Sequence, residues 1–451
     1  MNYRPNQDIS SGRTDTKARA LIQDLLPKKF STAGKIWVGV LVIICLIGMY
    51  AYYRQLKYGL VVTAMRDYAS WGIYISNFVF FVAISLVGSL VTAILRLSKV
   101  TWSTPLTRIS EIIAVSSIIL AALVIIVDMG RPDRFLYVII YARLQSPIVW
   151  DVLVIFTYLV LSLLLLYIPL LPDLKIMKDH FSGNSGLRRL YGKLSLNWQG
   201  AASQVKIMNK SIRILSIMII PVALAIHTVT SWLFATTYRP GWDSTNFGPY
   251  FVSGAFMVGA AAVVVAMYIF RKYYSLSHYI TNRHFDQMGK LLVLLSIVYL
   301  YFNINEYLSP AYKMKATEAE HLVELFTGDF AVMFWSVQIL GMIVPIIILL
   351  FKGGRKPLPM FIISIAVVVG AWFKRYLIVV PTLLHPFLPI QNVPEAWQHY
   401  YPTWEEWSIA MATLAASLLI ITILVRIFPV IPIQETAKEK RIDLSQINYD
   451  G

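Results

Sequence analysis

Cysteine is almost absent from this chain: Cys45 is the only one in 451 residues. No internal disulfide can form, and a self-ligated iron–sulfur cluster, which takes about four thiolates, is excluded. Charge is scarce as well. Asp, Glu, Lys and Arg make up 14% of the chain, against 57% hydrophobic residues, whereas a soluble domain uses about a quarter charged residues to cover its surface. The mean hydropathy is +0.63. That excludes the roughly three soluble domains this length would otherwise suggest. Histidine is sparse too. Of seven, only His227 sits well inside an apolar run; His180, His278, His284, His321, His385 and His399 fall in loops or at edges. A bis-His haem needs two imidazoles at matched depth on facing helices. The sequence therefore reads as an integral membrane protein that binds no haem or iron–sulfur cluster itself.

What is abundant is apolar sequence in long runs. A helix needs about 20 mostly apolar residues to cross the hydrocarbon. Ten such runs occur, at 36–53, 69–95, 109–128, 149–171, 212–236, 249–270, 288–308, 330–351, 358–380 and 404–428. Gly and Pro inside several of them are ordinary in membranes, where neighbouring helices satisfy the freed backbone groups.

The net charge of +16 is a topology signal. Assigned to the nearer face, 29 Lys and Arg fall in the N-terminal tail and after every even-numbered span, and 9 after the odd-numbered ones. The positive-inside rule then puts both termini in the cytoplasm and leaves no reason to expect nucleic acid as a partner. The first 35 residues carry scattered charges without a cleavage site and do not resemble a signal peptide. The basic loop at 172–211, with Lys175, Lys178, Arg188, Arg189, Lys193, Lys206 and Lys210, reads as a cytoplasmic connector lying on anionic lipid.

A faint repeat organises the spans. Gly72-Ile73-Tyr74 and Gly248-Pro249-Tyr250 open spans 2 and 6; Asp128 and Glu306 end spans 3 and 7; Asp151 and Asp329 open spans 4 and 8. An offset of four spans preserves direction, so the pattern predicts a parallel repeat of two four-helix bundles. The expected layout is a cytoplasmic tail (1–35), a first helix with an outer connector (36–68), and spans 2–4 of the first bundle (69–171). The basic loop (172–211), the bundle's fifth span (212–248) and the second bundle (249–380) follow. An outer loop (381–403), a last helix (404–428) and a cytoplasmic tail (429–451) complete the chain.

Ionisable groups inside a span are costly and usually face the protein interior or a water path. Asp128, Asp151, Glu306, Asp329, Lys374 and Arg375 fall near the outer ends of spans, with Asn77, Asn303, Asn305 and His227 somewhat deeper, while Arg131 and Arg134 follow Asp128 closely. Any one of them serves equally well as a solvated or paired residue fixing a helix end. Their clustering on one side in both halves points to a site. A quinone headgroup needs donors to its carbonyl oxygens, an apolar slot and an acid or base, all of which this layer offers. Carboxylate-coupled transport by alternating access, and a purely structural anchor, use the same residue types.

Several segments resemble a known family in order from about residue 66 to 433. They are Trp71-Gly-Ile-Tyr-Ile-Ser-Asn77, Asp128-Met-Gly-Arg-Pro-Asp-Arg, Ser146-Pro-Ile-Val-Trp150-Asp151, and His227-Thr-Val-Thr-Ser. Pro240-Gly-Trp, Pro249-Tyr-Phe-Val-Ser-Gly, Trp372-Phe-Lys-Arg375-Tyr and Pro402-Thr-Trp404 follow. The set is similar to the NrfD/PsrC family, the membrane subunits of polysulfide-reductase-like complexes and of alternative complex III. Asp128 stands where many members carry His. Leu86 and Leu233 stand where the alternative complex III branch carries His and Asp.

The resemblance implies two four-helix bundles in a bacterial or archaeal cytoplasmic membrane, with ubiquinone or menaquinone reacting near the outer face. It implies a ferredoxin-like iron–sulfur subunit there and a further molybdopterin-type or cytochrome subunit, with no redox cofactor on this chain. On this reading Asp128 and His227 exchange protons with the headgroup, Tyr74, Asn77 and Arg131 orient it, and Glu306, Asp329 and Arg375 belong to a proton path.

Overall fold

The computed structural model describes residues 8–27, 30–97, 104–180, 185–388, 390–442 and 444. Parts of the two expected tails, the middle of the 172–211 loop and Pro389 in the expected outer loop lie outside the described residues. Among the described residues all regular structure is helical. The helices are α1 (Asp8–Leu25), α2 (Thr32–Tyr58), α3 (Ile73–Leu97), α4 (Thr104–Asp128), α5 (Tyr137–Ile140), α6 (Pro147–Tyr167), α7 (Leu171–His180), α8 (Ser185–Leu194) and α9 (Ala202–Ala235). They continue with α10 (Phe247–Tyr273), α11 (Asn282–Lys313), α12 (Ala316–Phe326), α13 (Ala331–Gln338), α14 (Val344–Leu350), α15 (Pro357–Leu384), α16 (Trp404–Ile427) and α17 (Ile433–Glu439).

Among the described residues nine helical stretches are long and apolar enough to cross a membrane. With α3 they account for all ten expected spans, and the chain is an all-α integral membrane protein. The basic loop is largely helical rather than irregular, because α7 and α8 fill its first half and α9 begins at Ala202, ten residues before the expected span. At the other end, α15 runs on to Leu384. Lys374 and Arg375 therefore sit about 15 Å, ten residues of helix, from its end instead of at the edge.

Packing follows the order of the chain. Helices α3, α4, α6 and α9 pack on one another, as do α10, α11, the α13–α14 pair and α15; α10 also contacts α3, α4 and α9. Helices α2 and α16 pair with each other and lean on the first group through α3 and α4. Close approach is bought with glycine on α15. A single π turn, Ile339–Ile343, joins α13 to α14, and a Cβ on its Gly341 would lie 3.2 Å from the Gly370 backbone.

The two ends of the molecule are built differently. At the end where α1 and α17 meet, the terminal face, Arg108 and Asp173 form a fully buried ion pair. Asp173 also accepts from the backbone N–H of Ile433 (3.1 Å) and Gln434 (3.0 Å), which pins the C-terminal segment. At the opposite end, the far face, polar side chains enter the interior without such closure.

Candidate functional site

The first cluster forms where α4 ends. Asp128 is half-buried, and its Oδ1 is sealed from solvent with no hydrogen-bond partner. Such an atom normally finds one, since leaving it bare costs about 1–3 kcal/mol. The carbonyl just before it, on Val127, accepts from Gln55 Nε2 (2.7 Å), and Gln55 Oε1 accepts from the buried Tyr74 hydroxyl (2.8 Å). Tyr74 lies within electrostatic reach of Asp128 and of Glu406. Glu406 closes the α16 N-terminus in a Thr403–Glu406 capping box. Its carboxylate also accepts from Ala64 N–H (2.8 Å) and from Tyr400 O–H (2.7 Å), and Tyr400 in turn accepts from Ile73 N–H (2.8 Å). Burial first, then the Glu406 charge, push the Tyr400 phenol well above its ordinary range, so it stays a protonated donor.

Asn77, one helical turn deeper, is fully committed. Its Oδ1 accepts from Trp372 Nε1 (2.7 Å), and its Nδ2 donates to Ala410 O (3.2 Å) and Thr413 Oγ1 (2.9 Å). It ties α3 to α15 and α16.

A second cluster occupies the α10–α11–α15 group. His227 is completely buried and neither ring nitrogen has a well-formed hydrogen bond. Its ring lies 6.2 Å from that of Phe251, over which the Arg375 guanidinium sits at 4.7 Å. Gly254 leaves the space for this: a Cβ there would meet Tyr299 at 2.8 Å and Arg375 at 3.2 Å. Beside it, Lys374 donates to the Tyr307 hydroxyl (2.9 Å) within a cage of Tyr250, Tyr307 and Phe334 rings. Glu306 completes the cluster, accepting from Ser244 Oγ (2.9 and 2.8 Å) and Asn246 Nδ2 (2.9 Å). The order is thus His227, Arg375, Lys374 with its tyrosines, then Glu306.

The structure therefore brings Asp128 and Tyr74 together in one cluster, and His227, Arg375 and Glu306 in another. It does not join Asp128 to His227, nor place Arg131 or Asp329 in either. Arg131 is exposed, bonded to Asp133 (3.0 and 2.9 Å), and Asp329 is exposed on the turn before α13. Asp151 is buried and accepts from Thr230 (2.6 Å). Sequence reading missed Gln55, Tyr400 and Glu406, because α2 and α16 were set aside as additions. The Thr403-x-x-Glu406 capping signal was legible, but not the long-range bonds. Among the described residues no group of three or more His, Cys, Asp or Glu is arranged to hold a metal.

Ten spans, two packed helix groups and buried polar clusters at one end describe, among the described residues, a multi-pass membrane protein. The chain belongs to the polysulphide reductase NrfD family, which matches residues 61–386. It is 28% identical over 80% of its length to a putative dimethyl sulfoxide reductase membrane subunit of Halobacterium salinarum, 79% of which is covered. It is 24% identical to a selenate reductase subunit of Mesobacillus selenatarsenatis, with 88% of this chain and 94% of the relative aligned. The menaquinone reductase integral membrane subunit of Nitratidesulfovibrio vulgaris is 23% identical, over 85% and 89%.

Proposed function

We propose that this chain is the quinone-reactive membrane anchor of an oxidoreductase complex. It exchanges electrons between the membrane quinone pool and an iron–sulfur partner subunit docked on the far face, which the charge distribution makes the outer one. A further catalytic subunit, of molybdopterin or cytochrome type, lies beyond that partner. The relatives' names, among them a menaquinone reductase, support this class of role.

The observation that carries the reading is the bare, buried Oδ1 of Asp128. Quinone chemistry matches each electron with a proton, so the headgroup needs an acid–base group at its carbonyl oxygen. Asp128 is such a group, beside a Tyr74 hydroxyl held by Gln55. The stretch of chain just beyond it also suits a lipid-soluble substrate: Leu136, Tyr137, Ile139 and Ile140 are all more than half exposed, an apolar edge that lies in the outer leaflet. Lys374 and Glu306 carry protons in the second cluster, with the Arg375 charge beside them and His227 at its inner end.

The test is Asp128→Asn in the intact complex, which keeps the shape and removes the proton exchange. Positioned acid–base groups contribute a factor of about 10² to 10⁴, so quinone-linked turnover should drop by at least the lower figure. Electron transfer from artificial dyes to the partner subunits should hold. Near-native quinone turnover in an assembled mutant would overturn the assignment.

A further inference from the structure

Helix α12 begins just after α11 ends and lies across the far face of the second helix group. Its sequence places Glu318 and His321 three residues apart, on one side of the helix. That side covers a cavity of about 30 Å³, bounded below by Glu306 and Tyr307 and on its flanks by Gly241 and Thr382. About 10–15 Å³ suffices for one water, so the space holds one or two.

Two polar atoms at this cavity are bare. His321 is 6% exposed and Glu318 9%, and both His321 Nδ1 and Glu318 Oε2 are buried without a hydrogen-bond partner. Buried polar atoms are nearly always satisfied, and although most of the lining is apolar, the side chains of Glu306, Glu318 and His321 all border the cavity and give a water there the polar partners it needs. The other oxygen of Glu318 lies 3.7 Å from the exposed Lys315. Glu318 thus has one buried, unpartnered oxygen and one beside a side chain that reaches the medium. Glu306 has two donors, Ser244 Oγ and Asn246 Nδ2, for its two oxygens, while a carboxylate takes about four, so it can accept from a cavity water as well. Gly241 keeps the imidazole in place. Its φ of +86° disfavours a side chain, and a Cβ there would press on His321 Nε2 at 3.4 Å.

We propose that Glu318, with water held by His321 Nδ1, is the port through which Glu306 exchanges protons with the medium at the far face. Glu306 passes its proton to the cavity water, which gives one of its own to Glu318 Oε2. Glu318 then turns its carboxyl and releases that proton to bulk water on the Lys315 side, while Glu306 is reprotonated from Lys374, so that one proton leaves for each that entered. His321 stays neutral and positions the water. The inference rests on the reading above, in which Lys374 and Glu306 carry protons.

The experiment is a quinol pulse to the whole complex in proteoliposomes, with a membrane-impermeant pH dye at the far face. Electron arrival at the partner's iron–sulfur centres is followed optically in the same sample. In the unmodified complex the proton and electron signals coincide. In Glu318→Gln, which preserves packing, the proton signal should lag by roughly 10²-fold; Glu318→Asp should recover most of it, and His321→Phe should lag as Glu318→Gln does. Coincident signals in Glu318→Gln would overturn the port and leave the quinone reading standing. No quinone-linked electron signal in the unmodified complex would overturn both.

Discussion

The two helix groups place a tyrosine and a carboxylate at matching points of the repeat: Tyr74 with Asp128, and Tyr250 with Glu306. They treat the carboxylates in opposite ways. Glu306 is bonded to Ser244 and Asn246 and has Lys374 within electrostatic reach. Asp128 has an oxygen with no partner and only the like-charged Glu406 acting on it. The difference comes from the segment entering the bundle. The positions 176 residues before Ser244 and Asn246 are Tyr68 and Ser70, and neither donates to Asp128. In the second half the carboxylate is held in a network, and in the first it keeps a bare oxygen, although the second cluster has unpartnered atoms of its own in His227, Tyr250 and Arg375.

Stability should separate them most sharply. Glu306→Leu strips the acceptor from Ser244 and Asn246; leaving buried donors without an acceptor costs about 1–3 kcal/mol. Asp128→Leu removes a bare oxygen and should be neutral or stabilising, in keeping with sites that hold strain for function. Thermal melting of both variants in detergent checks this. Equal losses would mean that Asp128 has partners of its own and that the halves are alike.

How far this contrast could be read from sequence depends on the range of the interactions. Hydropathy located every span, since each is decided by about 20 consecutive residues, and the offset of the repeat paired Tyr74 with Tyr250 and Asp128 with Glu306. Asp151 and Asp329 looked equally paired, yet one is buried against Thr230 and the other is exposed. Spacing along the chain does not say how a helix is rotated. Lys374 and Arg375 were expected near a span end, because two charges usually mark one; the cage of Tyr250, Tyr307 and Phe334 that keeps Lys374 deep is assembled from three other helices. Gln55, Tyr400 and Glu406 came from regions outside the repeat, where no internal pattern pointed to them.

A smaller effect tests the tyrosines. Tyr74→Phe deletes the hydroxyl that Gln55 holds beside Asp128. Its bond to the neutral Gln55 amide contributes about 0.5–1.5 kcal/mol, so quinone-linked turnover should fall about 2- to 10-fold. Tyr250→Phe, in the closed network where Lys374 bonds Tyr307 instead, should lose no more than about twofold, well below one hydrogen bond. Steady-state rates of the two variants, measured at saturating quinone, decide it. A larger loss in Tyr250→Phe would move the reacting centre into the second group.

The remaining expected effect lies at the rim of the second cluster. Burial first, and then the neighbouring His385, push His321 down to about 3, against about 6.5 in an unfolded chain. Between those values the unfolded chain binds a proton that the folded one refuses, so folding weakens as the pH falls below about 6.5 and the weakening continues towards 3. The slope is about 1.4 kcal/mol per pH unit from this one group, reduced by the attraction of Glu306 and Glu318 across the cavity. Acidifying the purified complex from neutral should therefore lower its melting temperature, and His321→Phe should flatten that dependence without removing the part due to other groups. Parallel melting curves for the two proteins across this range would mean that the imidazole takes up its proton in the folded state. Its Nδ1 would then be a donor, the cavity water would be held the other way round, and the second group would be as open to protonation at its rim as the first is at Asp128.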